Sequence, residues 1–325
     1  MRTLKKTLKW TAIGLAGLIA ALTVAILVME RRTYDTALPD LHASSDPALI
    51  ARGKYLVRGA AHCVDCHGDQ DQRGEVDDGR EVALSGGFEF KLPVGIIRSA
   101  NITSDRQTGV GALSDGQLAR ALRHGVGSNG RALLPFMPFA DLSDEDLTAI
   151  ISYLRTQPPV RHEVTRHSLN PLGHAVLAFV IKPKGPTAPV PARVAAAPTA
   201  EYGRYLVHNV ANCSGCHTKI DMRTGEKIGP TLAGGAKLGH GAKFVTPNLT
   251  PDPRTGRITH WTEDVFVARF RMGQGAQGSP MPWRAFGRIN DDDLRAIYRY
   301  LRTVPAVEND TGESASAITT VATSR

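Results

Sequence analysis

The chain has 325 residues with a formal net charge of +8, and 42% of the residues are hydrophobic. Such an apolar content is ordinary for a globular protein and does not indicate a largely disordered chain. The length is enough for two small domains with additional segments.

Residues 1–32 are predicted to form a membrane anchor. Basic residues precede an uncharged apolar run from Trp10 to Met29, and about 20 apolar residues span the hydrocarbon core of a bilayer as a helix. The alternative is a cleaved signal peptide, whose apolar segment is shorter and ends in a small-residue site that is not found before Glu30. The basic residues before the span predict a cytoplasmic N-terminus, although Arg31 and Arg32 follow it.

The rest of the chain contains an internal duplication. Residues 51–69 match residues 201–219 at an offset of 150, with eight of 19 positions identical. Residues 140–160 match residues 287–307 at an offset of 147, with 11 of 21 positions identical. The middle segments also match, since ANITSDRQTG in the first half corresponds to PNLTPDPRTG in the second.

These matches predict two similar domains, residues 46–160 and 199–307, joined by a linker over residues 161–198. The second half of the linker is rich in Pro and Ala, which favours an extended, semi-rigid spacer. Its apolar segment, residues 171–181, is too short to span a bilayer and is expected to be packed or interfacial. The polar tail, residues 308–325, is predicted to be disordered.

Each domain is predicted to be mostly helical. Asp46 and Pro47 begin a helix that runs towards Ala61, and Ser114 caps a helix that stops at Gly125. The segment before Ser114 has little periodicity and much Gly, Pro and Asn, so we predict a loop there. Further N-caps are predicted at Ser143, Thr262 and Asn290.

All four cysteines belong to the pattern C-x-x-C-H, which occurs once in each predicted domain. Two cysteines on one helical turn can form thioethers with both vinyl groups of a haem, and the adjacent histidine then reaches the iron. The sequence therefore predicts two covalently bound haem c groups. The cofactor-binding residues would be Cys63, Cys66, His67, Cys213, Cys216 and His217.

Three other uses of paired cysteines fit less well. A thioredoxin-like redox pair needs a strand–helix context, which neither site has. Structural zinc sites use short spacings, whereas these two pairs lie 150 residues apart. Structural disulfides are possible in an exported protein, but two intervening residues make a poor loop for them.

The second axial ligand of each iron is predicted from two methionines in matching loops. Met137 lies in L-P-F-M-P-F and Met281 in G-S-P-M-P-W, each before the last helix of its half. The alternative is that a lone Met only fills a gap in the core, but the matched positions favour ligation. We expect His67 with Met137, and His217 with Met281, to be the iron ligands.

Each half resembles a class I cytochrome c domain. The series C-x-x-C-H, A-N-I-T-S-D-x-x-T-G, S-D-x-Q-L-x-R-A-L-R-x-G-V, M-P-F and D-L-x-A-I-x-x-Y-L-R is similar to the cytochrome subunits of membrane-bound bacterial dehydrogenases. The resemblance covers about residues 46–307. Many such subunits have three haem domains, whereas this chain has two motifs.

This resemblance implies a mostly α-helical protein, with two tandem class I cytochrome c domains behind an N-terminal transmembrane helix. It places the chain in the bacterial cytoplasmic (inner) membrane with both haem domains on the periplasmic side. It also implies an electron-carrier subunit rather than an enzyme. The donor would be a dehydrogenase acting on alcohols, sugar acids or aldehydes, and the acceptor quinone, a terminal oxidase or another cytochrome. No nucleic-acid partner is expected.

Class I domains often contain a proline whose carbonyl holds the proximal histidine. The resemblance suggests Pro230 in this role for His217, but Val82 stands at the aligned place in the first half, so His67 is expected to be oriented differently. The first and last helices of such domains also cross closely. Two glycines are expected at these crossings, Gly53 and Gly203.

The alternative function is that of a dihaem redox enzyme, either a peroxidase or a thiosulfate-oxidising cytochrome. A peroxidase needs one haem with an open or displaceable axial position, which two equivalent methionine loops disfavour. A thiosulfate-oxidising haem often has an unusual ligand such as cysteine, and no cysteine lies outside the two motifs.

Charge is unevenly distributed between the halves. Residues 46–160 contain 12 Lys/Arg and 15 Asp/Glu, a net −3, whereas residues 199–307 contain 15 and 9, a net +6. Charged patches steer docking, so we expect the halves to face different redox partners, although solvated loops are the simpler alternative. The contrasting residues are Asp69, Asp71, Glu75, Asp77, Asp78 and Glu81 against Lys219, Arg223 and Lys227.

Overall fold

The computed structural model describes residues 2–78, 80–221, 226–239, 244–273 and 278–312, the side chains of Arg2 and Asp77 excepted. Most of the predicted tail therefore lies outside the described residues. Over the described part the fold is mostly helical, as predicted, with a few short strands.

The first half contains seven helices and three strands within the described residues. The helices are α1 (Arg2–Met29), α2 (Pro47–Tyr55), α3 (Cys63–His67), α4 (Arg73–Asp77), α5 (Asp115–His124), α6 (Asp144–Thr156) and α7 (Pro171–Phe179). The strands are β1 (Glu89–Leu92), β2 (Gly95–Arg98) and β3 (Ser168–Leu169). A π-helical turn, Leu56–Ala60, continues α2 towards the first cysteine motif.

The described part of the second half repeats this order with shorter elements. Its helices are α8 (Ala200–Tyr205), α9 (Cys213–Cys216), α10 (Glu263–Arg271), α11 (Trp283–Phe286) and α12 (Asp291–Leu301). Its strands are β4 (Lys237–Leu238) and β5 (Phe244–Val245), and a second π-helical turn, Leu206–Val210, follows α8.

Helix boundaries follow the predicted capping residues. Asp46 accepts a hydrogen bond from the Ala48 backbone N–H at 2.8 Å, which starts α2. Ser114 and Gln117 form a reciprocal capping box at the start of α5, which ends at Gly125 with φ 62°. The remaining predicted N-caps are confirmed at Ser143, Thr262 and Asn290.

The predicted loop between the first cysteine motif and Ser114 is wrong in part. Strands β1 and β2 form an antiparallel hairpin there, and β3 from the linker adds to its open edge. Each strand has at most four residues, too few for an alternating pattern to be recognised in a Gly- and Pro-rich segment. The helix α4 was not predicted either, because its five residues are too few to show a helical period.

The first and last helices of each predicted cytochrome domain, α2 with α6 and α8 with α12, cross at close range, as predicted. A Cβ atom on Gly53 would lie 2.7 Å from Cβ of Tyr153, and closer still to the carbonyl oxygen of Ala149. A Cβ atom on Gly203 would lie 2.9 Å from Cβ of Tyr300. Glycine is therefore required at both crossings, because any side chain would separate the helices.

The two halves share one hydrophobic core and are joined by reciprocal hydrogen bonds. Tyr55 donates to Asp293 at 2.6 Å, and Tyr205 donates to Asp146 at 2.7 Å. Tyr55 corresponds to Tyr205, and Asp146 to Asp293, in the sequence repeat. The interface therefore has an approximate twofold symmetry.

The centre of this interface also contains the turns that lead into the two cysteine motifs. Arg52 donates to the hydroxyl oxygen of Tyr202 at 3.1 Å, and these residues occupy the same repeat position. The π-helical turns, Leu56–Ala60 and Leu206–Val210, contact each other. Two residues separate the end of each turn from its motif, so each motif begins close to this interface.

Candidate haem sites

Both cysteine motifs are presented by the same local structure. A π-helical turn leads into one residue in the left-handed region, His62 with φ 42° and Asn212 with φ 50°, and the motif helix begins at the next residue. Left-handed backbone costs energy in residues other than glycine. Its occurrence at both positions shows that the surrounding structure imposes the same entry on each motif.

The motif histidines are oriented by backbone carbonyls at matching positions. Nδ1 of His67 lies 2.7 Å from the carbonyl oxygen of Ala100, and Nδ1 of His217 lies 3.0 Å from that of Pro247. A carbonyl oxygen only accepts, so Nδ1 carries the proton and Nε2 keeps its lone pair. Nε2 is therefore the atom available to a metal.

This geometry corrects the expectation about Pro230. Pro230 is exposed, and the carbonyl that holds His217 belongs to Pro247 instead. The expectation that His67 is oriented differently is also wrong, because Ala100 and Pro247 are equivalent in the repeat. The role requires only a carbonyl oxygen, which every residue supplies, so the identity of the side chain gave no signal.

A buried asparagine fixes each of these carbonyl-bearing turns. Asn101 donates to the carbonyl of Val160 at 2.8 Å, and Asn248 donates to that of Val307 at 2.8 Å. Each asparagine oxygen also accepts from the backbone N–H two residues later. The repeated sequences A-N-I-T and P-N-L-T marked these positions in the sequence. Only the structure shows that the two asparagines connect the turn that contacts each motif histidine to the end of the same half.

The cysteine side chains are unpaired thiols with suppressed acidity. Burial raises the pKa of both Cys63 and Cys213 to about 12, and that of Cys66 to about 11. A structural zinc site needs about four ligands around one ion, and within the described residues there is no group of three or more His, Cys, Asp or Glu arranged for a metal. Neutral thiols beside an oriented histidine instead suit thioether attachment of haem c.

The two predicted methionine ligands occupy corresponding loops. Met137 and Met281 are partly buried and pack against the same core cluster as Cys63 and Cys213. Both lie outside regular helices and strands, where the chain can present a thioether sulfur without distorting a helix. The donor set of each half, two thiols, an imidazole and a thioether, fits one c-type haem.

The two sites differ in charge at a matched position. Arg58 is 5% exposed and donates to the Val82 carbonyl at 2.6 Å and to the Tyr153 hydroxyl at 3.0 Å. Its counterpart His208 lies 2.7 Å from the Tyr300 hydroxyl, and burial lowers its pKa to about 4. The first motif therefore has a buried cation nearby, whereas the second has a neutral imidazole.

Comparison with known proteins agrees with these sites. Residues 48–154 match the family described as cytochrome c oxidase, cbb3-type, subunit III. A dihaem c-type cytochrome of Cereibacter sphaeroides is 30% identical over 281 residues, which cover 81% of this chain and 91% of that protein. The chain belongs to the cytochrome c family.

Further relatives are electron-carrier subunits of dehydrogenases. The gluconate 2-dehydrogenase cytochrome c subunit of Pantoea cypripedii is 33% identical over 317 residues, covering 87% of this chain and 65% of that protein. The cytochrome c subunit of the quinone-type alcohol dehydrogenase of Gluconacetobacter polyoxogenes is 32% identical over 292 residues, covering 82% and 58%. The chain thus matches less than two thirds of the length of these two subunits.

Proposed function

We propose that this protein relays electrons through two covalently bound c-type haems in two tandem class I cytochrome c domains. Residues 46–160 hold one haem and residues 199–307 the other, with residues 161–198 as the linker. The attachment residues are Cys63, Cys66, His67, Cys213, Cys216 and His217. The second axial ligands are Met137 and Met281.

The observation that carries this proposal is the matched orientation of His67 and His217. Each imidazole donates Nδ1–H to a backbone carbonyl, which frees Nε2 for iron and strengthens the histidine as a ligand. A haem bound in this way supplies an iron that changes between Fe(II) and Fe(III). If His67 and Met137 hold one iron and His217 and Met281 the other, no coordination position would remain open for a substrate, which agrees with a carrier function.

The contact between the halves supports electron transfer within the molecule. The two π-helical turns that lead into the cysteine motifs touch each other, and the shared core fixes their separation. The chain itself therefore holds the two redox sites together without a diffusional encounter. One site can then accept an electron from a donor while the other passes an electron on.

The partner and the location follow from the relatives and the sequence. We infer that the donor is a dehydrogenase subunit, as in the complexes for which the relatives are named. The acceptor is quinone, a terminal oxidase or another cytochrome. Among the described helices, one segment, Thr3–Met29, is long and apolar enough to cross a membrane. It anchors the protein in the bacterial inner membrane, and both haem domains lie on the periplasmic side.

The ferric absorption spectrum of the purified holoprotein tests the proposal. We expect two haems per chain by mass, with a thioether-to-iron band and a low-spin spectrum from both. One high-spin haem that binds cyanide or peroxide would contradict the carrier function and would support the dihaem redox enzyme instead.

Isolation of the native membrane complex tests the partnership. A tag placed after the last residue should recover a dehydrogenase subunit that reduces both haems when its own substrate is added. Recovery of the cytochrome alone, at every detergent concentration that keeps other respiratory complexes intact, would argue against a stable dehydrogenase partner.

A further inference from the structure

Helix α7 packs against the last turns of α1. In α1 nearly all described side chains are exposed, but Ala25, Ile26 and Met29 are partly covered, and α7 contacts α1. At this end His174 of α7 donates from Nδ1 to the carboxylate of Glu30 at 2.9 Å. The linker helix is therefore attached to the end of the membrane-spanning segment.

The outer face of α7 is apolar and uncovered. Leu172 is 58% exposed, Phe179 46% and Val180 56%. Gly173 and Ala178 of the same helix are buried, and Gly173 packs directly against the Val94 carbonyl at the turn of the β1–β2 hairpin. Large apolar side chains that are this exposed, on a short helix and directly after it, are costly in water.

The position of α7 along α1 corresponds to the boundary of a bilayer. The apolar run of α1 ends at Met29, and Glu30 follows it directly. With a rise of about 1.5 Å per residue, the stretch from Ala25 to Glu30 spans roughly 8 Å. A helix packed along this stretch lies at the depth where interfacial helices bury their apolar faces, about 5–10 Å into the boundary between headgroups and acyl chains.

Basic residues surround the same boundary. They are all exposed, and they comprise Arg31 and Arg32 after α1, and Lys182 and Lys184 after α7. Exposed Lys and Arg at a membrane surface attract anionic lipid headgroups. Charge and apolar area therefore complement the same partner, an anionic bilayer.

We propose that α7 is a second membrane contact, with Leu172, Phe179 and Val180 inserted at the headgroup boundary of the bilayer that α1 spans. The proposal rests on the anchor assigned to α1 under the proposed function. It adds that the first haem domain is held against the membrane in one orientation.

The orientation follows from the way the first half is tied to α1. Backbone N–H groups of Tyr34, Ala43 and Ser44 donate to the first half at 2.8 Å each. The hairpin under α7 also reaches the Met137 loop, because the Phe90 and Phe136 rings stack at 4.5 Å. The loop that contains Met137 therefore lies on the same side of the molecule as α7.

Photolabelling of the full-length holoprotein tests this contact. The protein is reconstituted in vesicles of phosphatidylcholine and phosphatidylglycerol that contain a phosphatidylcholine with an acyl-chain diazirine. After illumination, mass spectrometry should find lipid adducts both in α1 and on residues 172–181. Adducts in α1 alone would overturn the proposal and leave the anchor standing, whereas adducts in neither segment would overturn both.

A charged variant provides the matched comparison. Leu172→Glu, Phe179→Glu and Val180→Glu together should abolish the adducts on α7, while those on α1 and the two-haem spectrum remain. The control Val265→Glu, at a 37% exposed residue of α10, should change neither. Linear dichroism of oriented membranes should show fixed haem tilts in the wild type and reduced order in the triple variant. Unchanged order would overturn the orienting role.

Discussion

Arg58 places a fixed positive charge in the interior of the first half. Its partners, a carbonyl, the Tyr153 hydroxyl and the Gln157 side chain, are all neutral. Its field also reaches the Cys63 thiol, the point at which a haem would be attached. A nearby cation favours the reduced form of an iron, because reduction adds negative charge to the site.

Replacement of Arg58 by Gln should therefore lower the reduction potential of the first haem. His208→Gln is the matched control, because it exchanges one neutral group for another at the same repeat position and should shift the second potential much less. Spectroelectrochemical titration of each holoprotein variant measures both potentials. Equal shifts in the two variants would show that Arg58 acts through packing rather than charge.

The proposed methionine ligands can be tested one at a time. Met137→Ala should make only the first haem high-spin, and Met281→Ala only the second, because each loss removes one axial thioether. Met272→Ala is the control, since this side chain is 56% exposed at the end of α10. Electron paramagnetic resonance of the ferric proteins resolves the spin states. A variant that retains two unaltered low-spin haems would remove that methionine from the ligand set.

Asp293 makes the stability of the interface depend on pH. It is 4% exposed, and burial, the largest effect, raises its pKa above the usual value of about 3.9. The folded protein therefore binds this proton more tightly than the unfolded chain. The resulting stabilisation is fully present below about pH 4 and is lost as the pH rises through the pKa of the folded state.

The variant Asp293→Asn keeps an oxygen to accept from Tyr55 but cannot ionise. We expect its free energy of unfolding, relative to that of the wild type, to increase between pH 4 and pH 7. Guanidinium titrations of the holoprotein at several pH values measure this difference. A difference that stays constant with pH would mean that Asp293 does not titrate in this range.

The side chains that form the haem sites could be predicted from the sequence, whereas the backbone carbonyls that orient the histidines could not. The cysteines, histidines and methionines are recognised by their residue type and their spacing in the sequence. The carbonyls of Ala100 and Pro247 do not, because every residue has one and only the folded chain selects which of them faces an imidazole. Burial of Arg58 was equally hidden, since an arginine in a helical segment usually indicates a solvated face.

At the scale of elements, the helix crossings depend on Gly53 and Gly203. Gly53→Ala or Gly203→Ala would push a methyl group into the opposing backbone, and overpacking of this kind costs about 1–3 kcal/mol. We expect a lower free energy of unfolding in either variant. Gly74→Ala is the control, because a Cβ there meets nothing within 4 Å. Thermal and denaturant unfolding measures the free energy of unfolding of all three variants. Equal values for the crossing variants and the control would contradict the argument that glycine is required at the crossings.

Helices were predicted well because their ends carry local signals. Asp46, Ser114 and Asn290 each satisfy a backbone N–H at the start of a helix, and this chemistry is visible in the sequence. The β1–β2 hairpin was missed because each of its strands has only four residues, and β3, which completes the sheet, lies about 70 residues away in the linker. The π-helical turns were also missed, since no capping residue marks the change of pitch.

At the scale of the whole molecule, the opposite charges of the two halves predict separate partners. Lys219 and Lys227 are exposed beside the second motif, whereas Asp71 and Asp78 are exposed after the first. Arg223 lies outside the described residues. We expect the variant with Lys219, Arg223 and Lys227 all changed to Gln to react more slowly with one partner only, because electrostatic steering acts on encounter.

Stopped-flow reduction by the donor and oxidation by the acceptor measure the two steps separately. Added salt should slow the affected step in the wild type and have less effect in the variant. Equal slowing of both steps, or rates that do not change with salt, would refute the assignment of separate partners.

The contact between Arg52 and Tyr202 makes the two ends of the molecule distinguishable. In a dimer of identical chains, a residue on the twofold axis meets its own copy. Two arginines would repel each other there, and two tyrosines would leave Asp146 without the guanidinium that now binds it at 2.8 Å. Fusion of the halves into one chain allows one of each. The two halves are therefore not equivalent at their interface, so a donor and an acceptor can bind at different ends of the molecule, which the identical ends of a symmetric dimer would not distinguish.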